Sequence, residues 1–559
     1  MKIIKILFLV SFSLNVFADC FFKNCVTCND CEMLSENDCD FFGKTFFSPR
    51  PQDSNSVRRI LGYFNEQNYF ESDYVNKLNI TIQYQKTFNS SDKLGKWFFF
   101  NKKNCMSVGI PGDGQSFDVD GSQFGLSLGL SSTSSLAPGS IGNVCISPEI
   151  ENLIFDLDFH FDLCKMMCGL WTRVDIPIVQ TKYDLKLTSS DCSCLRKSSD
   201  CGCAISQELT GNLFPAGLFS TDCTTTKSPY NSICEALKGD LGFGVIPPLE
   251  CGKYPLKPLK KTGVAGIHFD VGYDFYDKDC AHLALSVHYV VPTGNRPMAK
   301  YVFEPIVGAN KCWQVGAAIE AFCITETYDK KQIGLYLYAI GTHLYKAEQY
   351  RLFSLKNNGT GSQYLLLKNY DPNSITIESG ERTANILCGK TKIGANFMFD
   401  GSVMIQLKGC DYFFDIGYNF WLRTKERKSE DTCLRNFLKD EYSVKGNQFF
   451  SNSDEFDCVP TCEYNTTTAS KSTISHAAAE DVDSSGNSQP VFLTPNDINF
   501  TTPLHPGAMT HKFFAALGSN FAFANGCPGF ALISGEVEFA GNGASLSQWG
   551  VILQAGINY

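Results

Sequence analysis

Cys25, Cys28 and Cys31 stand in a C-x2-C-x2-C spacing, close enough for their thiolates to converge on zinc or an iron–sulfur cluster. The fourth cysteine and proline of the bacterial ferredoxin run do not follow, so crosslinking is the expected use of these thiols. Cys192 with Cys194, and Cys201 with Cys203, are spaced for loop crosslinks to more distant partners. Gly125-Leu126-Ser127-Leu128-Gly129 matches the G-x-S-x-G nucleophile pattern. That pattern works on a sharp strand-to-helix turn, whereas here it runs into Ser131 to Ser135 with no helix after it. His282 and His288 share one face of an alternating run, but at about 3.3 Å per residue they stand too far apart to share a metal. No P-loop, H-E-x-x-H or Rossmann glycine pattern occurs. No catalytic residue, metal or cofactor is therefore expected, and the chain does not read as an enzyme.

What remains is a set of charged and polar residues recurring at every second position. Asp156, Asp158 and Asp162 flank His160; Arg173 precedes Asp175; His268, Asp270 and Asp274 share a run. Glu320, Asp415 with Arg423, and Glu536 with Glu538 complete the set. On a water-facing strand surface such residues bias which ions pass.

The elements that carry them are strands of period two. Leu153, Phe155, Leu157, Phe159 and Phe161 face away from the acids at 156 to 162. Ile267, Phe269, Val271, Tyr273 and Phe275 face away from His268, Asp270 and Asp274, and Tyr412 to Leu422 alternate around Asp415. Asp400-Gly401, between Phe399 and Val403, reads as a hairpin signal. A soluble β-sandwich would also alternate. Runs of ten or more residues, and acids repeated along the polar face, favour tilted membrane strands around a wet lumen. Backbone groups in hydrocarbon must pair within the protein, so such strands must close into a barrel, here of about fourteen to sixteen strands. Trp97, Trp171, Trp313, Trp421 and Trp549 are candidates for its interfacial girdles.

Lys2 and Lys5, the apolar run Ile6 to Phe17 and the small residues around Ala18 form a secretory signal, so residues 1–18 are expected to be removed. The net charge of −10 excludes nucleic acid as a partner, and no later stretch is apolar enough for a membrane helix. All 25 cysteines follow the signal, where oxidation is the expected fate. The disulfide candidates are Cys20, Cys25, Cys28, Cys31, Cys39, Cys192, Cys194, Cys201, Cys203, Cys223, Cys234 and Cys251. Connectivity stays open. Residues 19–75 form a Cys-rich N-terminal extension or plug, and 76–559 the barrel with long extracellular loops, including those at 188–262 and 425–510. Within the second loop, 464–490 is polar and without periodicity, and is expected to be flexible.

The last strand carries the most specific feature. Trp549, Val551, Leu553, Ala555, Ile557 and Tyr559 alternate with Gln548, Gly550, Gln554, Gly556 and Asn558, and the chain stops on Tyr559. This resembles the C-terminal signature of bacterial outer-membrane β-barrels. The resemblance implies recognition by the barrel-assembly machinery and a place in a Gram-negative-type outer membrane. The cysteine content is similar to that of the cysteine-rich major outer-membrane proteins of chlamydia-like bacteria. The expected function is that of a porin passing small hydrophilic solutes or ions, with a mild preference for cations. A disulfide-crosslinked structural envelope protein, bonded to itself or to other envelope proteins, and a surface adhesin are the alternatives.

Overall fold

Twelve of the alternating runs pair edge to edge into one closed antiparallel ring. In the computed structural model they are β1 (Lys77–Phe88), β2 (Glu149–Asp162), β3 (Leu170–Asp184) and β4 (Ile267–Lys278). Then come β5 (Ala281–Val291), β6 (Gln314–Thr327), β7 (Lys331–Leu344) and β8 (Met398–Lys408). The ring ends with β9 (Tyr412–Arg423), β10 (Ala508–Ala522), β11 (Pro528–Ala540) and β12 (Ser547–Asn558). The structure describes residues 42–67, 76–110, 116–120, 139–190, 213–214, 226–227, 230, 233–278, 280–327, 331–371, 377–409, 411–434, 441–445, 468–487, 489–523 and 527–559. The expected signal peptide, the G-x-S-x-G match and the cysteines at 20–39 and 192–223 lie outside these residues.

Each strand pairs with its sequence neighbour, and β12 returns to β1 with Asn558 opposite Lys77 and Ser547 opposite Phe88. Closure leaves no unpaired edge, the condition for β-structure in hydrocarbon. The burial is inverted relative to a protein in water. Ile80, Ile82, Leu153, Phe155, Val271, Leu285, Ile416 and Leu553 are exposed on the outer face, while Asn79, Thr81, Gln83, Asp156, Glu320 and Asp415 are buried inside. A surface of this kind is an interface with lipid. No helix among the described residues is long and apolar enough to cross a membrane.

The strand count corrects the sequence expectation of about fourteen to sixteen. Asp400-Gly401 makes no hairpin: β8 runs straight through it, with neither residue at positive φ. A two-residue hairpin of that type needs φ above zero at both positions. Asp400 instead points inward and takes a guanidinium, as described below. Other strands, such as 388–395, belong to small sheets outside the ring.

The two ends of the barrel differ. The strand ends joined by the short connections 163–169, 279–280, 328–330, 409–411 and 523–527 share one end with Asn76 and Tyr559. The opposite end carries the connections 89–148, 185–266, 292–313, 345–397, 424–507 and 541–546. The described parts of these connections fold together into a cap with an apolar core that includes Trp97, Phe98, Phe353, Leu365, Leu387, Val444 and Ile498. Disulfides Cys105–Cys145 and Cys251–Cys388 tie it, the second joining two different connections. Of the stretch 464–490 expected to be flexible, residues 468–474 are packed into the cap, while 482 and 484–487 are exposed. Thr468 and Ser472 are fully buried, and Asp481 accepts from the Thr468 hydroxyl at 2.7 Å and the Ser470 amide at 2.8 Å.

Of the girdle candidates, Trp313 and Trp549 face outward. Trp171 and Trp421 point into the barrel and Trp97 into the cap, because strand phase and loop packing, rather than residue type, decide where an indole sits.

Candidate functional site

The wall of the lumen comes from the inward phase of the strands, and a segment from outside the ring fills it. Residues 42–55 and helix α1 (Ser56–Gln67) run from the cap into the barrel. Phe47 packs edge-on to Trp97 of the cap at 5.2 Å. Ser48 lies at the mouth, where Arg423 donates to its hydroxyl at 2.8 Å and its carbonyl at 3.0 Å. Further in, Val57, Ile60 and Leu61 cluster with inward Phe322, Tyr336, Tyr338, Met404, Phe413, Phe514 and Ile552. The lumen is therefore apolar in part, where a uniformly polar face was expected.

Three arginines fasten this segment to five wall carboxylates. Arg50 reaches Asp400 at 3.0 Å and Glu538 at 2.9 Å, and donates to Asn419 at 2.8 Å. Arg58 meets Asp156 at 2.6 Å and donates to Gln83 at 2.8 Å. Arg59 meets Asp270 at 2.7 Å and Asp175 at 3.7 Å, and donates to the Tyr338 hydroxyl at 2.6 Å. Asn55 donates to Asp175, and Ser54 donates to Asp400 at 2.5 Å. Gln52 donates to the Ile306 carbonyl at 3.1 Å and accepts from the Gly308 amide at 3.0 Å. Isolated charges cannot be buried cheaply, and these pairs are what make both surfaces tolerable in the filled lumen.

Several of the remaining wall charges pair with one another. Arg173 bridges Glu320 at 3.1 Å and Asp158 at 3.4 Å, and Lys512 bridges Glu536 at 3.1 Å and Glu538 at 3.5 Å. Gln406 donates to Asp415 at 2.9 Å. His288 Nδ1 lies 2.5 Å from Asp270 and its Nε2 3.3 Å from His268 Nδ1, with Asp53 on the far side of His268 at 3.8 Å. His282 is apart from this pair, beside Asp277 at 3.2 Å. His160 packs its ring near Trp171 at 5.3 Å.

Two of the fourteen sequence-selected residues lie at the short-turn rim rather than in the filled lumen. Asp162 accepts from the Cys164 amide, and Asp274 from the Trp171 indole at 2.8 Å. Sequence reasoning missed Arg50, Arg58, Arg59, Asn419, Lys512 and Asp400. The adjacent arginines Arg58-Arg59, in a chain of net charge −10, were the available signal. Between segment and wall, the spaces beside Arg50 and beside His268 are about 20 Å³ each, room for a water and not for a solute.

A closed ring with an apolar belt outside and ion pairs inside defines a transmembrane β-barrel of the outer-membrane type. No protein-family model and no curated protein matches the chain. Among solved structures, an outer-membrane channel of Pseudomonas putida F1 is similar at 9% identity over 87% of this chain and 98% of that one, with a TM-score of 0.33. A Pseudomonas aeruginosa FadL homologue is similar at 8% identity over 94% and 99%, with a TM-score of 0.26. The transport unit of the Escherichia coli autotransporter AIDA-I gives 6%, 91%, 99% and 0.27. These likenesses are remote, and the barrel stands on its own strand pairing.

Proposed function

We propose that this chain is an outer-membrane channel for passive diffusion of small hydrophilic solutes or ions, held closed by its own N-terminal segment. The observation that carries the reading is the division of labour in the lumen. The ring keeps an inward face of charges, and its stopper is a separate length of chain fastened by side chains rather than a core built into the wall. Outer-membrane lipid, the barrel-assembly machinery acting on the strand that ends at Tyr559, and the permeant are the partners this implies. On the wall, Asp156, Asp158, Asp175, Asp270, Glu320, Asp400, Asp415, Glu536 and Glu538 outnumber Lys77, Arg173, Arg423 and Lys512. The open channel should therefore prefer cations. Planar-bilayer recording tests this: the whole protein should be nearly silent, and an Arg58→Ala/Arg59→Ala variant should conduct. A folded variant that never conducts overturns the reading, and a reversal potential favouring anions overturns the selectivity.

A crosslinked structural role is the second reading, favoured by exposed Cys280 and Cys323 near the short-turn end. Oligomers that collapse with reductant on a gel would support it, and a monomer in both lanes would exclude it.

A further inference from the structure

Strands β7, β8 and β9 do not end at the membrane. Beyond it, residues 347–352, 388–395 and 426–434 continue them as a three-stranded sheet. One face of that sheet looks into the cap, where Arg351 meets Glu426 at 3.2 Å. The other face is exposed and carries Lys390, Lys392 and Arg427, with Lys346 and Arg296 beside it. Glu348 is shared, at 2.8 Å from Lys390 and 4.0 Å from Arg296, and Glu430 lies in the bulged strand. Lys392 shares the field of the same Glu348 and Lys346 donates to the Lys428 carbonyl at 3.1 Å, but neither they nor Arg427 come within ion-pair distance of a carboxylate among the described side chains. Positive charge is therefore in excess on this face of an acidic protein.

Its height is marked independently. Tyr289, Trp313 and Tyr345, at the ends of β5, β6 and β7, are exposed on the outer face. The Tyr289 and Trp313 rings lie 5.5 Å apart, and the Tyr345 amide donates to the Trp313 carbonyl at 2.9 Å. Exposed Trp and Tyr of this kind settle at headgroup level. Lys346 follows Tyr345 directly, so the cationic face begins where lipid phosphates begin. The opposite side of the rim is different. There Lys86, Lys182 and Lys186 are already paired with Glu149 and Glu151, at 2.5 to 3.1 Å.

Barrels of this type turn their long connections outward and their short turns to the periplasm, and we infer that the exposed face of this sheet, at the long-connection end, binds the phosphate groups of outer-leaflet lipid, anchoring one side of the barrel to phosphorylated glycolipid. The inference rests on the outer-membrane barrel reading. Each cation close to a charged lipid surface strengthens binding severalfold. The test uses the refolded protein in phosphatidylcholine nanodiscs, with diphosphoryl lipid A as probe and retained lipid read by native mass spectrometry. Wild type should retain the probe, and K390E/K392E/R427E should lose about tenfold or more in affinity. Lys86→Glu, on the paired side, should change little. Equal retention by wild type and triple variant overturns the inference, as does equal retention of a dephosphorylated probe. Inorganic phosphate that fails to compete marks lipid as the source; phosphate that competes at equal concentration shows an adventitious ion site only and overturns it. Heat-modifiable gel mobility is read on every sample. If wild type lacks it, the barrel reading has failed; if the triple variant alone lacks it, K392E is read in its place.

Discussion

Inside the barrel, Arg59 meets Asp270 at 2.7 Å and Arg58 meets Asp156 at 2.6 Å. Inside the cap, Phe353, Leu365 and Leu387 are wholly buried against other apolar side chains. The same chain thus builds two interiors from different materials, and the solvent outside each explains the difference. The cap sits in water, so its apolar side chains turn inward. The barrel sits in lipid, where apolar side chains gain nothing by turning in, and the polar phase of each strand must find partners within the lumen. Alternation alone does not distinguish the cases; which phase is exposed does.

Substitutions that treat the two interiors alike should therefore have unlike outcomes. Arg59→Ala removes a cation between Asp175 and Asp270, and stranding buried carboxylates should cost about 3–5 kcal/mol of lumen packing. Bilayer recording and the unfolding midpoint both read it. Phe353→Ala in the cap should cost a similar 3–5 kcal/mol but leave the channel silent, since the cavity lies outside the membrane. If it conducts, cap and stopper are one unit and the comparison fails. Leu553→Arg, which would be harmless on a wet surface, faces lipid here and should cost about 2–4 kcal/mol of barrel stability in vesicles.

The pH response separates the regions further. Burial in the cap, with Lys368 nearby, holds the Lys445 ammonium down at about 7, while Asp120 pulls the other way. The unfolded chain keeps that proton to the ordinary lysine range near 10.5, so between these limits it binds more protons than the native cap. Cap stability should therefore rise as pH goes from about 7 toward 10, and fall toward neutrality. Lys445→Met should flatten the slope in thermal unfolding monitored across that window. The smallest effect expected is that of Ser54→Ala, which removes one of several donors to Asp400 and should cost about 1 kcal/mol.

Much of the barrel was legible because a strand's face repeats every two residues within a window of a dozen. The runs around Asp156, Asp270 and Asp415 kept their phase in the structure. Asp400-Gly401 misled because a local turn signal was overridden by a partner, Arg50, that lies 350 residues away. A plug was read within 19–75, but the residues that fasten it were hidden for the same reason, since Arg58 and Arg59 have no local periodicity that points to a wall. The cap was read as loops because its order comes from long-range packing and a disulfide spanning 137 residues, with no repeat to betray it.

The direction of the N-terminal segment has a consequence for how the molecule is made. Phe47 is lodged in the cap at one end of the cylinder, while the chain joins the wall at Lys77 at the other. A thread that enters by one mouth and is knitted to the rim of the other can be added to a finished tube only by being pulled lengthwise through it. It is set in place far more simply if the sheet curls around it while still open. The seam between β1 and β12, whose register runs from Lys77–Asn558 to Phe88–Ser547, would then be the last to zip.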